Sequence, residues 1–289
     1  MSEIAASKGA STLTRPEPCA FRDRSATAFN LEADPDPVLH DALDRFVRDI
    51  GGPLGIMRSG PEPAPAALAR GAMLSLPDLF TEAGRDGMPT LTAAVQLVLP
   101  VASADPALFL ALSVGQGWEL SNVSRDSRRD DPVALALRLC TGLTGAARAA
   151  ERAAHAYARL RRSGGTPIWH YQAVARRLAD AVIAADAAEL SLLEFASHLE
   201  GATERSRRSE GPAQWCADDP TGLAAHIITC ADIAIEEAFM VQAGHGYTME
   251  SVPARLRTLS DSAGLAVRRL LETTPEPIGR YRARETVDG

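Results

Sequence analysis

The sequence predicts an all-α protein: a C-terminal antiparallel four-helix bundle preceded by a small helical N-terminal domain. Three observations carry that prediction. Apolar residues recur at spacings of three and four along most of the chain, the runs in the second half are long, and each is bounded by proline or glycine. A chain of 289 residues, 46% apolar but only 5% aromatic, can bury a large core in one or two domains.

Taken in order, residues 1–37 are rich in Ser, Thr, Pro and charge without a periodic apolar face, and are read as a disordered tail. From Val38 to Ile50 an amphipathic helix places Leu39, Leu43, Phe46, Val47 and Ile50 on one side and stops at Gly51-Gly52-Pro53. After the proline-rich break at Pro61–Pro65, further short helices over Ala66–Leu76, Leu91–Leu99 and Pro106–Val114 complete a small helical domain, 38–120. Asp131-Pro132 then supplies an N-cap and a first-turn proline for a long helix. Its stripe is Leu135, Leu139, Leu143, Ala147, Ala150, Ala154 and Tyr157, and Gly164-Gly165 ends it. A second long helix follows Pro167, with Val174, Leu178, Ala181, Val182, Ala185 and Leu193 on one face. Gly201–Pro212 is expected as an exposed loop, because Arg205-Ser206-Arg207-Arg208 would not be buried unpaired. Leu223–Ala243, closed by Gly244, and Pro253–Leu271 give the third and fourth helices of a bundle over 131–275. A tail, 276–289, follows, and the alanine content lets the helices approach closely.

Composition excludes several function classes. The net charge is -7 and the only lysine is Lys8; no basic stripe with interleaved aromatics exists, which argues against nucleic acid. Cys19, Cys140, Cys216 and Cys230 are scattered without CxxC spacing, and Cys140 and Cys230 fall in apolar helical runs where buried thiols are common. The first residues lack a basic-then-apolar signal pattern, and no uninterrupted apolar run approaches the ~18 residues of a membrane span. A cytoplasmic protein with no membrane contact is expected. His155, His170, His198 and His226 are read as having no other ligand type at i, i+4, so no metal is assigned. The adjacent Glu236-Glu237 face different directions and are assigned to helix solvation rather than to a carboxylate dyad.

Two segments carry chemistry. The first is Ala156-Tyr157-Ala158-Arg159-Leu160-Arg161-Arg162-Ser163-Gly164-Gly165-Thr166-Pro167-Ile168, continuing through Tyr171-Gln172-Ala173-Val174 to Arg177-Leu178-Ala179-Asp180. The second is Ala243-Gly244-His245-Gly246-Tyr247-Thr248-Met249-Glu250. Together they resemble the acyl-CoA dehydrogenase family: the first is similar to its Arg-x-x-Phe-Gly-x-Pro-Ile turn between two bundle helices, the second to its Gly-Gly-x-Gly-Tyr/Phe-Thr-x-Glu segment. The resemblance spans residues 131–260 and is nearest to the hetero-oligomeric subtype of actinobacterial sterol- and acyl-chain-degrading subunits; Leu91–Val114 resembles the end of the family's N-terminal helical domain.

That resemblance implies an oxidoreductase acting on CH–CH bonds of acyl thioesters with FAD as cofactor. It implies cofactor contacts at Arg161, Gly244, Gly246, Tyr247 and Thr248, with Arg161 matching an arginine that reaches a cofactor phosphate. Yet only a short linker joins Val114 to Pro132, where the family places a β-barrel needing about 45 residues or more. At most part of a flavin site is expected. Gly164 replaces the turn's aromatic residue, Met240 stands at the family's glutamine, and Ala243-Gly244 stands at its glycine pair. The usual position of the catalytic glutamate falls near Val267, and Glu272, in Leu271-Glu272-Thr273-Thr274, is the candidate base. The alternative family position falls among Pro132–Leu139, which contains no Glu. His245 reads as a surface or capping residue and Glu250 as a first-turn charge.

Three readings follow. One is a partner-dependent subunit of lipid or polyketide metabolism that forms homo-oligomers, or hetero-oligomers with a full-length acyl-CoA dehydrogenase-like chain. Another is a flavin-independent cyclase, isomerase or dehydratase acting on an acyl or polyketide thioester. The last is a non-catalytic assembly subunit.

Overall fold

The computed structural model describes residues 37–49, 65–81, 83, 88–115, 132–207, 220–246, 248 and 251–273, and these residues are almost entirely helical. Five shorter helices come first: α1 (Pro37–Asp49), α2 (Pro65–Ala72), α3 (Leu76–Thr81), α4 (Leu91–Ala104) and α5 (Pro106–Ser113). The long helices are α6 (Pro132–Leu160), α7 (Gln172–Arg207), α8 (Pro220–Gln242) and α9 (Val252–Thr273). Between α6 and α7 lies a two-residue antiparallel ladder, β1 (Arg162–Ser163) with β2 (Thr166–Pro167), an addition to the all-α expectation. Of the expected tails, 1–37 and 276–289, all but Pro37, the first residue of α1, lies outside the described residues.

Sequence signals set the boundaries. Asp105 accepts a hydrogen bond from the Leu108 N–H at 3.0 Å and Thr90 one from the Ala93 N–H at 3.2 Å, so each caps the helix that follows it. The helix expected over Ala66–Leu76 instead ends at Ala72, turns through Ser75 at φ 45°, and restarts at Leu76 with Pro77 in its first turn. The helix expected to stop at Leu99 runs on to Ala104, with Pro100 on its exposed face, where the proline ring meets no packed neighbour helix. Similarly, 201–207 is helix rather than loop. Gly201 costs about 1 kcal/mol there, but Ala202, Glu204 and Arg205 are good helix formers. Residues 208–212 of the expected loop lie outside the described residues.

α6 is the central element. It packs on α7, α8, α9 and α4, while α8 packs on α7 and α9. Arg148 of α6 meets Glu189 of α7, Arg177 of α7 meets Glu237 of α8, and Arg257 of α9 meets Glu236 of α8. Glu236 and Glu237 therefore each tie α8 to a different helix, which corrects their assignment to helix solvation. Alanines 136, 146, 147, 149, 150, 154 and 158 of α6 are fully buried, and α4 lies so close that a Cβ on Gly145 would come within 2.4 Å of the Ala102 backbone. From Leu43 to Leu271 the buried side chains form one contiguous cluster. Within it Arg138, 2% exposed, donates from Nη1 to the Ser113 carbonyl at 2.8 Å. No helix of the described residues is long and apolar enough to cross a membrane.

Candidate functional site

Two turns meet at one end of the long helices. After Leu160 the Arg161 N–H donates to the Tyr157 carbonyl, and the Arg161 carbonyl accepts from the Ile168 N–H, both at 2.8 Å. Gly164 and Gly165, at φ 56° and 81°, turn β1 into β2, which is why the helix ends four residues before the glycine pair rather than at it. Arg162 Nη1 donates to the Gly165 carbonyl at 3.0 Å and the Tyr171 hydroxyl to the Ser163 carbonyl at 2.8 Å, which closes the hairpin. Arg161 stands exposed at its base.

The second turn follows α8. Ala243 adopts φ 47°, a short 3-10 turn spans Ala243–His245, and the Gly246 N–H donates to the Ala243 carbonyl at 2.9 Å. Gly246 is buried, and a Cβ there would meet the Phe239 carbonyl oxygen at 2.7 Å; Gly244 is exposed with open space around it. Thr248 donates from its hydroxyl to the His245 carbonyl at 2.8 Å. Ser251 accepts from the Ala254 N–H at 3.3 Å and donates to the Gly246 carbonyl at 2.8 Å, capping α9. The His245 ring stacks on Tyr157 of α6, centroids 5.7 Å apart and 3° from parallel, and so joins the two turns.

The structure thus brings Arg161, Gly244, Gly246 and Thr248 to one end of the helices. Tyr247 and Glu250 lie outside the described residues. Glu272 is exposed in the last turn of α9, about 30 Å of helix away from the Ser251 cap, and Val267 is buried. Met240 is exposed. Sequence reasoning missed Gln242, which is 3% exposed with its Oε1 lacking a hydrogen-bond partner, although its spacing from Ile235 and Ala238 puts it on the inner stripe of α8.

An exposed guanidinium at Arg161 suits a phosphate, and a buried acceptor at Gln242 suits a donor, but the Gly246 N–H and the Thr248 hydroxyl proton are already used inside their own turn.

A buried polar cluster lies farther along α6, and it too escaped the sequence reading. Arg148 Nη1 reaches Asp186 at 2.6 Å and Nη2 reaches Glu189 at 2.5 Å, both on α7. Burial disfavours the Arg148 charge, but those two carboxylates outweigh it and hold its pKa above the ordinary value. Glu151 lies 4.0 Å from Arg148, and burial pushes its carboxyl up against the pull of Arg148 and Arg152. His155 Nε2 is 3.8 Å from Glu151; burial, helped by Arg159, pushes the imidazole down. The readable signal was four polar residues, Arg148, Glu151, Arg152 and His155, at helical spacing inside an alanine-rich helix.

Histidines do have ligand types four residues away, which corrects the sequence reading: His155 with Glu151, His198 with Glu194 at 3.8 Å, and His226 with the Cys230 thiol at 3.5 Å. Among the described residues none of these pairs gains a third group able to hold a metal ion. Cys140 and Cys230 are buried free thiols, and burial raises the pKa of both.

A family model described as acyl-CoA dehydrogenase, C-terminal domain, matches residues 135–217. The match takes in nearly all of α6, the hairpin and all of α7, and it ends before the turn that follows α8. No curated protein matches the chain.

Proposed function

We propose that the chain is an acyl-CoA dehydrogenase-like subunit, cytoplasmic and partner-dependent, of an oxidoreductase family acting on CH–CH bonds of acyl thioesters in lipid or polyketide metabolism. The observation that carries this reading is the family match over α6, the hairpin and α7. In this reading the long helices are the family's antiparallel four-helix bundle, over 131–275, with the helices of 38–120 as its small N-terminal domain. The junction of the two turns through Tyr157 and His245 is the cofactor end. Arg161 would hold a phosphate of FAD, and the unpartnered buried Oε1 of Gln242 would accept a hydrogen bond from it. FAD, when bound, supplies a hydride acceptor for the substrate β-carbon. Glu272 is the proposed base for the α-proton, and its place at the far end of α9 favours an active unit assembled from more than one chain.

The test is an ultraviolet-visible spectrum of the purified chain, alone and co-expressed with a full-length acyl-CoA dehydrogenase from the same genome. Near-stoichiometric flavin bands in either sample, lost on Arg161→Ala, are expected. A colourless, folded protein in both samples removes the redox reading.

A second reading has one observation of its own: the buried Glu151 and the half-buried His155, 3.8 Å apart, have pKa values displaced in opposite directions, the arrangement of an acid–base pair. It is flavin-free isomerisation or dehydration of an acyl thioester. Under that reading Glu151→Gln abolishes turnover of a thioester that the wild type converts without flavin.

A further inference from the structure

From Arg152 to Ala179, across the end of α6, the hairpin and the first turns of α7, the chain has six arginines and no aspartate or glutamate. With those six positive charges set against a total of -7, the rest of the chain carries -13. The hairpin end is thus basic in an otherwise acidic chain. Arg177 is paired with Glu237 of α8 and Arg176 lies 3.9 Å from Asp180, but Arg161 and Arg162 are exposed and form no ion pair with a carboxylate of the described residues.

The same end exposes apolar groups: Leu160 is 81% exposed, Tyr171 44% and Trp169 37%. In the sequence the aromatics follow the arginines and do not alternate with them; the fold sets the two groups side by side. The Ile168 N–H donates to the Arg161 carbonyl at 2.8 Å, so Leu160 and Trp169 flank one hydrogen bond. The Trp169 and His170 rings lie 3.9 Å apart, and Tyr171 is tied by its hydroxyl to the Ser163 carbonyl. Every residue from Arg159 to Thr166 is exposed, so the hairpin projects from the helix ends and offers a convex surface.

Three features select the partner. Exposed guanidinium groups suit an anion. Leucine and tryptophan beside them need an apolar cover, and Trp and Tyr favour the level of lipid headgroups, where one part of the ring is wet and the other dry. A convex projection meets a flat surface, whereas a small anionic ligand binds in a cleft. A bilayer of anionic lipids answers all three, and its negative surface repels the acidic remainder of the chain, which turns the hairpin toward it.

We propose that the hairpin end docks this chain on an anionic bilayer, with Leu160 and Trp169 entering the headgroup layer and Arg161 and Arg162 on lipid phosphates. The contact is at the surface, since no helix of the described residues is long and apolar enough to cross, and it replaces the expectation of no membrane contact. The inference goes beyond the flavin reading and shares only Arg161 with it.

The experiment sediments the full chain with vesicles of phosphatidylcholine alone and of phosphatidylcholine with about one third phosphatidylglycerol. Binding to the anionic vesicles is expected to be at least about tenfold stronger, and to weaken as salt rises from about 0.05 to 0.5 M. Leu160→Glu, Trp169→Ala and Arg162→Glu each lower it at least about fivefold with helical circular dichroism unchanged. Should Trp169→Ala or Arg162→Glu disturb the hairpin, Leu160→Glu, at the most exposed of the three apolar positions, still decides. No binding to the anionic vesicles overturns the proposal, as does equal binding to neutral ones, or binding indifferent to Leu160→Glu, which would lie on another face. Capture by immobilised poly-glutamate as tight as by vesicles, with the same loss on Leu160→Glu, would show an acidic polypeptide partner instead. Inorganic phosphate that abolishes vesicle binding where sodium chloride of the same ionic strength does not would show a discrete phosphate site, and also overturns it. The flavin test stands apart: a colourless protein that binds anionic vesicles removes the redox reading and keeps the docking surface, and a flavin-loaded protein that ignores them does the reverse.

Discussion

Ala243 and Gly246 sit in one turn with their backbone demands in reverse of what their side chains suit. Ala243 holds φ 47°, where a Cβ crowds the next carbonyl at a cost of about 1–2 kcal/mol. Gly246 has an ordinary backbone, but the Phe239 carbonyl leaves its Cβ position no room. Ala243→Gly is therefore expected to raise the urea midpoint by relieving up to about 1 kcal/mol, part of it returned as unfolded-chain entropy. Gly246→Ala is expected to cost about 1–3 kcal/mol, and Gly244→Ala, in open space, to change little. If Gly246→Ala were as stable as the wild type, the turn would have a different course. The sequence marked this turn by its glycines and by the resemblance, but could not rank them, because the ranking depends on a carbonyl of α8. Gln242 was hidden for a related reason: attention to the family's glutamine position led to Met240, whereas burial selects the residue two places on.

At the scale of elements, the α6–α7 contact contains its own pH response. His155 of α6 faces Glu151 and Arg159 of its own helix, near the Arg148 that binds Asp186 and Glu189 of α7. Its folded pKa lies below the ordinary 6.5, so as pH falls through 6.5 the unfolded chain takes the proton first and stability drops until the folded imidazole titrates. Glu151 acts in the opposite sense. Its folded pKa lies above 4.5, so its contribution is complete at lower pH and is lost as pH rises through the folded value. His155→Gln should remove the first slope alone, so the stability gap between wild type and variant should shrink between about pH 7.5 and 5.5. Denaturant melts at both ends of that range would show it, and a constant gap would place His155 in water. The long helices themselves were legible to within a few residues, since apolar period and flanking Pro or Gly are local properties. What was not legible was tertiary: the continuation through Pro100, the break at Ala72, and the pairing of Glu236 and Glu237 with two different helices.

On the scale of the whole molecule, buried side chains from α1 to α9 form one cluster, and α4 rests on α6 with almost no space between their backbones. The small helical domain and the long helices are therefore expected to unfold together. Far-ultraviolet circular dichroism and the fluorescence of the tryptophans should give coincident denaturation curves; two separated transitions would show that 38–120 and 131–275 hold independent cores. The alanine lining of α6 also bears on how the chain can change over generations. A one-base change in an alanine codon yields Val, Thr, Ser, Pro, Gly, Asp or Glu. At a fully buried position of α6 nearly all of these enlarge a side chain where two helices touch, bury a polar group, or break the helix. The interior of α6 is thus a large mutational target with few neutral neighbours. Variation should gather in the exposed stripes and turns, where new partners and ligands can be tried without loosening the core.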